Sequence, residues 1–121
     1  MSSERESGIL RSIRLALGRE SGCVFWRNST GVAHYEDAAG QKRAATHGLG
    51  KGSADLIGIV MTYPQHLGRF VALEVKTDVG KQSPEQAAWQ RCVELNGGIY
   101  AVVRSAIQAI AIVHSVKRGG L

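Results

Sequence analysis

No apolar run in this chain is long enough to span a membrane. The N-terminus, Met1-Ser-Ser-Glu-Arg-Glu-Ser7, is polar and lacks the apolar core of a signal peptide. A cytoplasmic protein is therefore expected. Cysteine is scarce. Cys23 and Cys92 have no metal-ligand spacing, and each falls among apolar residues, so both are expected as reduced core thiols. The four histidines, His34, His47, His66 and His114, are scattered, with no i,i+4 pair and no cysteine partner. No Ser-His-Asp elbow is present. Gly50-Lys-Gly-Ser53 lacks the spacing of a phosphate-binding Walker loop. Aromatics are few, and Trp26 and Trp89 fit core positions better than base-stacking platforms. No repeat or linker divides the 121 residues, which suits one domain, 1–121, with an ordered core over about 4–114.

What the chain does have is positive charge, a net +5. A basic balance favours a polyanionic partner. Lys42, Arg43 and Lys51 flank a glycine-rich loop, Gly48-Leu-Gly-Lys-Gly52, and Lys81 precedes a helix signal at Ser83. These four are expected to contact the polyanion. Arg11 and Arg14 lie on a first helix, away from its apolar stripe.

The densest chemistry runs from Ser53 to Gln86. Leu56-Ile-Gly-Ile-Val60 and Phe70-Val-Ala-Leu-Glu-Val-Lys76 read as two strands. Side chains alternate faces along a strand, so Phe70, Ala72, Glu74 and Lys76 share one face, and Val71, Leu73 and Val75 the other. Glu74 and Lys76 then lie about 7 Å apart at Cα. Glu-x-Lys alone is most simply a surface ion pair. Asp55 at the start of the preceding strand changes that reading. Mg²⁺ or Mn²⁺ prefers oxygen donors, and one or two carboxylates suffice to anchor the smaller ion with its waters. Asp55 and Glu74 would supply them, with the Val75 carbonyl as a third oxygen. Lys76 would orient water or stabilise charge developing on a phosphate. Ser83 and Gln86 form a capping-box pattern with Pro84 at the first helical position, a structural role compatible with Gln86 also facing the strand ends.

The remaining pattern predicts a helix over about 4–17, a strand over 23–28, and a hairpin of 32–36 and 41–46 around Asp37-Ala-Ala-Gly40. A helix over 83–96 follows the two site strands, with Ala88, Trp89, Cys92 and Val93 inward. A strand over 99–103 and a helix from Ser105 to about His114 close the chain. The order α-β-β-β-β-β-α-β-α gives an α/β fold with a mixed central sheet flanked by helices. The β-helix-β unit from Phe70 to Val103 requires those two strands to be parallel.

Asp55 followed by Glu74-Val75-Lys76 resembles the motif of the PD-(D/E)xK nuclease superfamily, and within it the VRR-NUC family is the nearer likeness. The matching features are Gly48-Leu-Gly-Lys-Gly-Ser-Ala-Asp55-Leu-Ile-Gly58, Glu74-x-Lys76, Ser83-Pro-Glu-Gln86 and Gly97-Gly-Ile-Tyr-Ala101, with Trp26-Arg-Asn28 upstream. The likeness covers about Glu6 to His114. It departs where Ala54 stands in place of the family's Pro before the Asp. The resemblance implies a restriction-endonuclease-like core and a metal-dependent DNA endonuclease of the stand-alone, phage type, in a bacterial or phage-infected cell. It implies a homodimer that resolves branched DNA, four-way junctions first. It assigns catalysis to Asp55, Glu74, Lys76 and Gln86. It also brings in Glu6, which matches a first-helix acid that often joins such sites, although a solvated first-turn Glu favoured by the helix dipole is an equal reading. A non-catalytic DNA-binding module, a structural subunit of a larger nuclease and a monomeric nickase of flaps or duplexes stay open as alternatives.

Overall fold

The computed structural model describes residues 2–121, with side chains from Arg5 onward. Helix α1 (Ser2–Gly18) precedes strands β1 (Cys23–Arg27), β2 (Gly31–Glu36), β3 (Lys42–His47), β4 (Leu56–Thr62) and β5 (Leu67–Val75). Helix α2 (Pro84–Leu95), strand β6 (Ile99–Val103) and helix α3 (Ala106–Lys117) complete the order, which is the expected one. The two site strands are longer than expected. They run on to a tight connection between Thr62 and Leu67, where the Thr62 hydroxyl donates to the Leu67 carbonyl at 2.9 Å.

Four strands form a mixed sheet in the order β1-β4-β5-β6. β4 pairs antiparallel with β1 and β5, and β5 pairs parallel with β6. The hairpin strands β2 and β3 form a separate two-stranded ribbon instead of joining this sheet. Their sequence explains the separation. Gly31-Val-Ala-His-Tyr-Glu36 and Lys42-Arg-Ala-Ala-Thr-His47 carry too few large apolar side chains for either face to be drawn into a core, and every one of their residues is exposed.

Two unequal cores cover the sheet. Leu56, Val60, Val71, Leu73, Val75, Ile99 and Val103 present one face to α1 and α3, where Ile13, Leu17, Ala109, Val113 and Val116 close over them. This is the layer that the alternation of β4 and β5 calls for, since residues two apart point the same way. The other face is covered only in part. There α2 packs Trp89 and Val93 onto Ala54, Ala72 and Tyr100. Cys92 and Ala88 of α2 are exposed, contrary to the expectation of an inward face that included both. The β1–β4 half of that face has no helix over it, so Trp26 is 53% exposed rather than core. Val24, Ile59 and Phe70 form one cross-strand row on the same open surface. Cys23 is half-buried, and burial pushes its thiol pKa up, as for an unreactive thiol. No helix is long and apolar enough to cross a membrane among the described residues.

Candidate active site

The register places Asp55 and Glu74 side by side. Leu56 pairs with Leu73, so one step beyond the last pair Asp55 faces Glu74 across the sheet, and Glu74 in turn pairs with Val102 of β6. Asp55 holds its position by two contacts. Its carbonyl accepts from the Asn28 amide at 2.7 Å, and its carboxylate Oδ2 accepts from the Val75 N–H at 2.8 Å. The second contact replaces a strand–strand bond where β4 has ended, so the carboxylate is fixed by the sheet it extends. The Val75 carbonyl belongs to the same peptide turn of the strand.

Glu74 is buried, and Lys76 nearly so: their side chains are 4% and 12% exposed. Lys76 Nζ stands 3.4 Å from Glu74 Oε2. Gln86 Nε2 donates to the same oxygen at 2.9 Å. The other oxygen, Glu74 Oε1, is buried with no hydrogen-bond partner among the described residues. Burial first and the adjacent Asp55 charge second raise the Glu74 pKa to about 8, against the opposing pull of Lys76. A carboxyl so placed holds its proton to higher pH than a free one, and a cation arriving beside it would favour the charged form.

Gln86 carries two roles at once. Its amide oxygen accepts from the Ser83 N–H at 2.8 Å and its backbone N–H donates to the Ser83 hydroxyl at 3.1 Å, which completes the capping box. Its amide nitrogen is thereby aimed at Glu74. The helix cap and the carboxylate clamp are one side chain, so Gln86 touches Glu74 directly.

The glycine-rich loop delivers Asp55 against this helix. Gly52 has φ +88°, and a Cβ there would come within 2.4 Å of the Glu85 carbonyl oxygen. Only glycine permits that approach. Asn28 ties the loop down from the other side: its amide donates to Ser53 Oγ and to the Ala54 carbonyl, both at 2.8 Å, and its Oδ1 accepts from the Leu49 N–H at 3.1 Å. After Lys76, the Arg104 guanidinium donates to the Thr77 and Gly80 carbonyls and fixes the turn.

The other expected site residues fall into three groups. Lys51 and Lys81 are exposed near the α2 N-terminus, with Lys51 3.7 Å from Glu85. Lys42 and Arg43 do not ring the site. They sit at the turn end of the hairpin, opposite Glu36 and Tyr35, roughly 17 and 13 Å from its base at about 3.3 Å per residue. Arg43 is held there by Asp37 at 2.8 Å. Glu6 is half-buried on α1. Among the described residues no third Asp, Glu, His or Cys joins Asp55 and Glu74 in a metal-sized cluster, so Glu6 is not brought into one.

The pair by itself fits a hard divalent cation. Mg²⁺ needs only one or two carboxylates and keeps several waters, and the unpartnered Glu74 Oε1 is an oxygen that lacks a cation or donor. Three neighbours carry weight in the structure although the sequence assigns them no role at the site. Tyr100 pairs with Ala72 and lies on the Glu74 face, its hydroxyl accepting from Gln82 at 3.3 Å, with burial raising its pKa. Asn28 acts through Ser53 Oγ, the Ala54 carbonyl and the Leu49 N–H, and Arg104 through the Thr77 and Gly80 carbonyls, contacts that no side-chain motif announces. Knowing the parallel β5–β6 register would have revealed Tyr100. Comparison of the chain with protein-family models, with curated proteins and with solved structures finds no match.

Proposed function

We propose that this chain is a metal-dependent endodeoxyribonuclease with a restriction-endonuclease-like core of the VRR-NUC type. The observation that carries the reading is the buried Glu74, unpartnered at Oε1 and clamped at Oε2 by Lys76 and Gln86, beside Asp55 at the adjoining strand end. Asp55 and Glu74 would hold Mg²⁺ or Mn²⁺, with the Val75 carbonyl as further donor. A divalent ion there supplies a Lewis acid that polarises the phosphoryl oxygen and makes water more acidic.

The chain's own residues do the rest. Lys76, nearly buried and 3.4 Å from Glu74, presents its ammonium to the oxygens on which charge develops as water attacks phosphorus. One new P–O bond forms to the water oxygen, one ester P–O bond breaks, and the water's proton ends on the leaving alkoxide. Gln86 keeps the Glu74 carboxylate in place through that change. Lys51 and Lys81, exposed beside the α2 N-terminus, hold neighbouring phosphates.

A homodimer acting on branched DNA, four-way junctions first, is the preferred form of this activity. Its support is the open apolar row Val24, Ile59 and Phe70 with Trp26, and a hairpin on which Val32 and Tyr35 are about half exposed. Contiguous apolar surface of this kind marks association sites. Single-turnover cleavage of labelled duplex, flap and four-way DNA with Mg²⁺, Mn²⁺ or EDTA tests the reading. Metal-dependent cleavage is expected. DNA binding without cleavage in either metal would replace it with a non-catalytic binding module.

A further inference from the structure

Beside the edge strand β1 lies a cleft of about 700 Å³ that the proposed reaction does not use. Its walls are α1 on one side and β1 on the other, and Arg11, Arg14 and Arg27 line it. All three guanidinium side chains belong to exposed residues, and among the described residues none forms an ion pair. The one carboxylate in the lining, Glu20, is already taken by Lys117 at 2.9 Å and His114 at 3.1 Å. The cleft thus presents three unpaired positive charges over a floor that includes Leu10, Phe25 and Leu56.

Its course relates it to the site. Arg27 is followed by Asn28, the residue that anchors the Asp55 loop, and Leu56 in the floor follows Asp55 itself. From Ser7 to Gly18 the helical wall is roughly 16 Å long at 1.5 Å per residue, enough for several phosphates of one strand.

We propose that this cleft binds the backbone of a single-stranded nucleic-acid segment leaving the site, with Arg11, Arg14 and Arg27 on its phosphates. The inference rests on the nucleic-acid part of the functional reading and adds where the strand goes. Guanidinium forks match phosphate oxygens. The apolar floor with the Phe25 ring selects unpaired bases, whose faces are free to stack, over a duplex that hides them. An acidic polypeptide added to the β1 edge is the competing occupant, but three guanidiniums with no carboxylate partner among the described residues, along a cleft with a helical wall of roughly 16 Å at 1.5 Å per residue, match a run of phosphates more closely than a strand pairing.

The test is binding of a labelled twenty-nucleotide oligo(dT) in EDTA, read by fluorescence anisotropy across a salt series. Arg11→Gln/Arg14→Gln is expected to weaken binding about tenfold and to make the salt slope shallower by about 1.4, two single-strand phosphate contacts. Both positions are exposed on a helix and Gln is a comparable helix former, so the fold is retained. Arg11→Lys/Arg14→Lys should recover most of the slope. Arg91→Gln/Arg118→Gln removes the same charge elsewhere and should change affinity little. Equal losses in the two Gln variants, unchanged oligo(dT) binding, or full displacement by poly-L-glutamate at equal charge would each overturn the inference. So would a wild-type protein that fails to bind oligo(dT). A wild-type protein that binds as expected but cleaves no DNA in Mg²⁺ or Mn²⁺ would sink the nuclease reading and leave the cleft assignment standing.

Discussion

At the scale of single residues, Glu74 makes stability depend on pH and is the residue on which the proposed metal binding turns. Its pKa is raised to about 8 by burial first and the Asp55 charge second. The folded metal-free protein therefore binds a proton that the unfolded chain releases near pH 4.5. That contribution is fully present below about pH 4.5 and is lost as pH rises through about 8, at most roughly 1.4 kcal/mol per pH unit. The thermal midpoint of the metal-free protein should fall across that window relative to Glu74→Gln, which has no such proton. Scanning calorimetry of the two proteins from pH 5 to 9 measures the gap, and parallel curves would refute the assignment. A divalent ion must displace the same proton, so titration calorimetry at pH 7 in buffers of different ionisation enthalpy should report about one proton released per ion. Asp55→Asn and Glu74→Gln are nearly isosteric and should abolish cleavage and weaken Mg²⁺ and Mn²⁺ binding while keeping the fold. Lys76→Met should lower turnover by roughly 10²–10³ and change DNA affinity less than threefold, because phosphate contacts are shared among many cations. A Lys76→Met enzyme of near-normal turnover would defeat the role given to that ammonium. The pairing of Asp55 with Glu74 was legible from strand alternation and motif order. The unpartnered Oε1 was not, because it depends on how deeply α2 buries the end of β5.

At the scale of elements, the informative contact is between the glycine-rich loop and α2. Gly52 and Gly50 both have positive φ, +88° and +108°, so alanine strains either position. They differ in what the new methyl meets. At Gly50 it enters open space, whereas at Gly52 it would meet the Glu85 carbonyl oxygen at 2.4 Å. Gly50→Ala should cost roughly 1–2 kcal/mol from backbone strain alone. Gly52→Ala should cost more, and should also cut cleavage sharply, since the loop that carries Asp55 must back away from the helix that carries Gln86. Urea denaturation and single-turnover rates on the two variants check this, and equal effects on both measures would show that the loop does not brace the site. The sequence disclosed the order of the nine elements among the described residues because helix and strand periods, caps and turn residues agree locally. It could not disclose that β2 and β3 stay apart from the main sheet, or that α2 covers only half a face. Trp26, Ala88 and Cys92 were misplaced for that reason: periodicity assigns a residue to a face, and only tertiary packing decides whether a partner lies over it. Lys42 and Arg43 were misplaced differently. Proximity in sequence to the glycine-rich loop suggested proximity to the site, but the hairpin carries both residues along its full length to the far turn.

At the scale of the whole molecule, two features ask for a second copy. The row Val24–Ile59–Phe70 runs across three strands with 45%, 45% and 38% exposure, next to Trp26 and on the same sheet face as Glu74. The β2–β3 ribbon buries none of its residues within the chain, and a lone two-stranded hairpin is marginal in water. A twofold-symmetric association that covers the open face and braces the ribbon would satisfy both, and would set two sites in fixed relation. One chain carries one candidate site, so paired incisions on two strands of a junction require this arrangement. Light scattering at micromolar concentration should give twice the 13.0 kDa chain mass. Ile59→Glu should return the mass to a single chain, because a carboxylate at the centre of an apolar interface is costly to bury unpaired. The fold should survive, since Ile59 is already half open to solvent. On a four-way junction labelled on both strands, wild-type protein should cut the strands in pairs and Ile59→Glu should leave single nicks. A wild-type monomer that nicks one strand at a time would remove the dimeric resolvase while leaving Asp55, Glu74 and Lys76 as the catalytic set of a flap or duplex nickase.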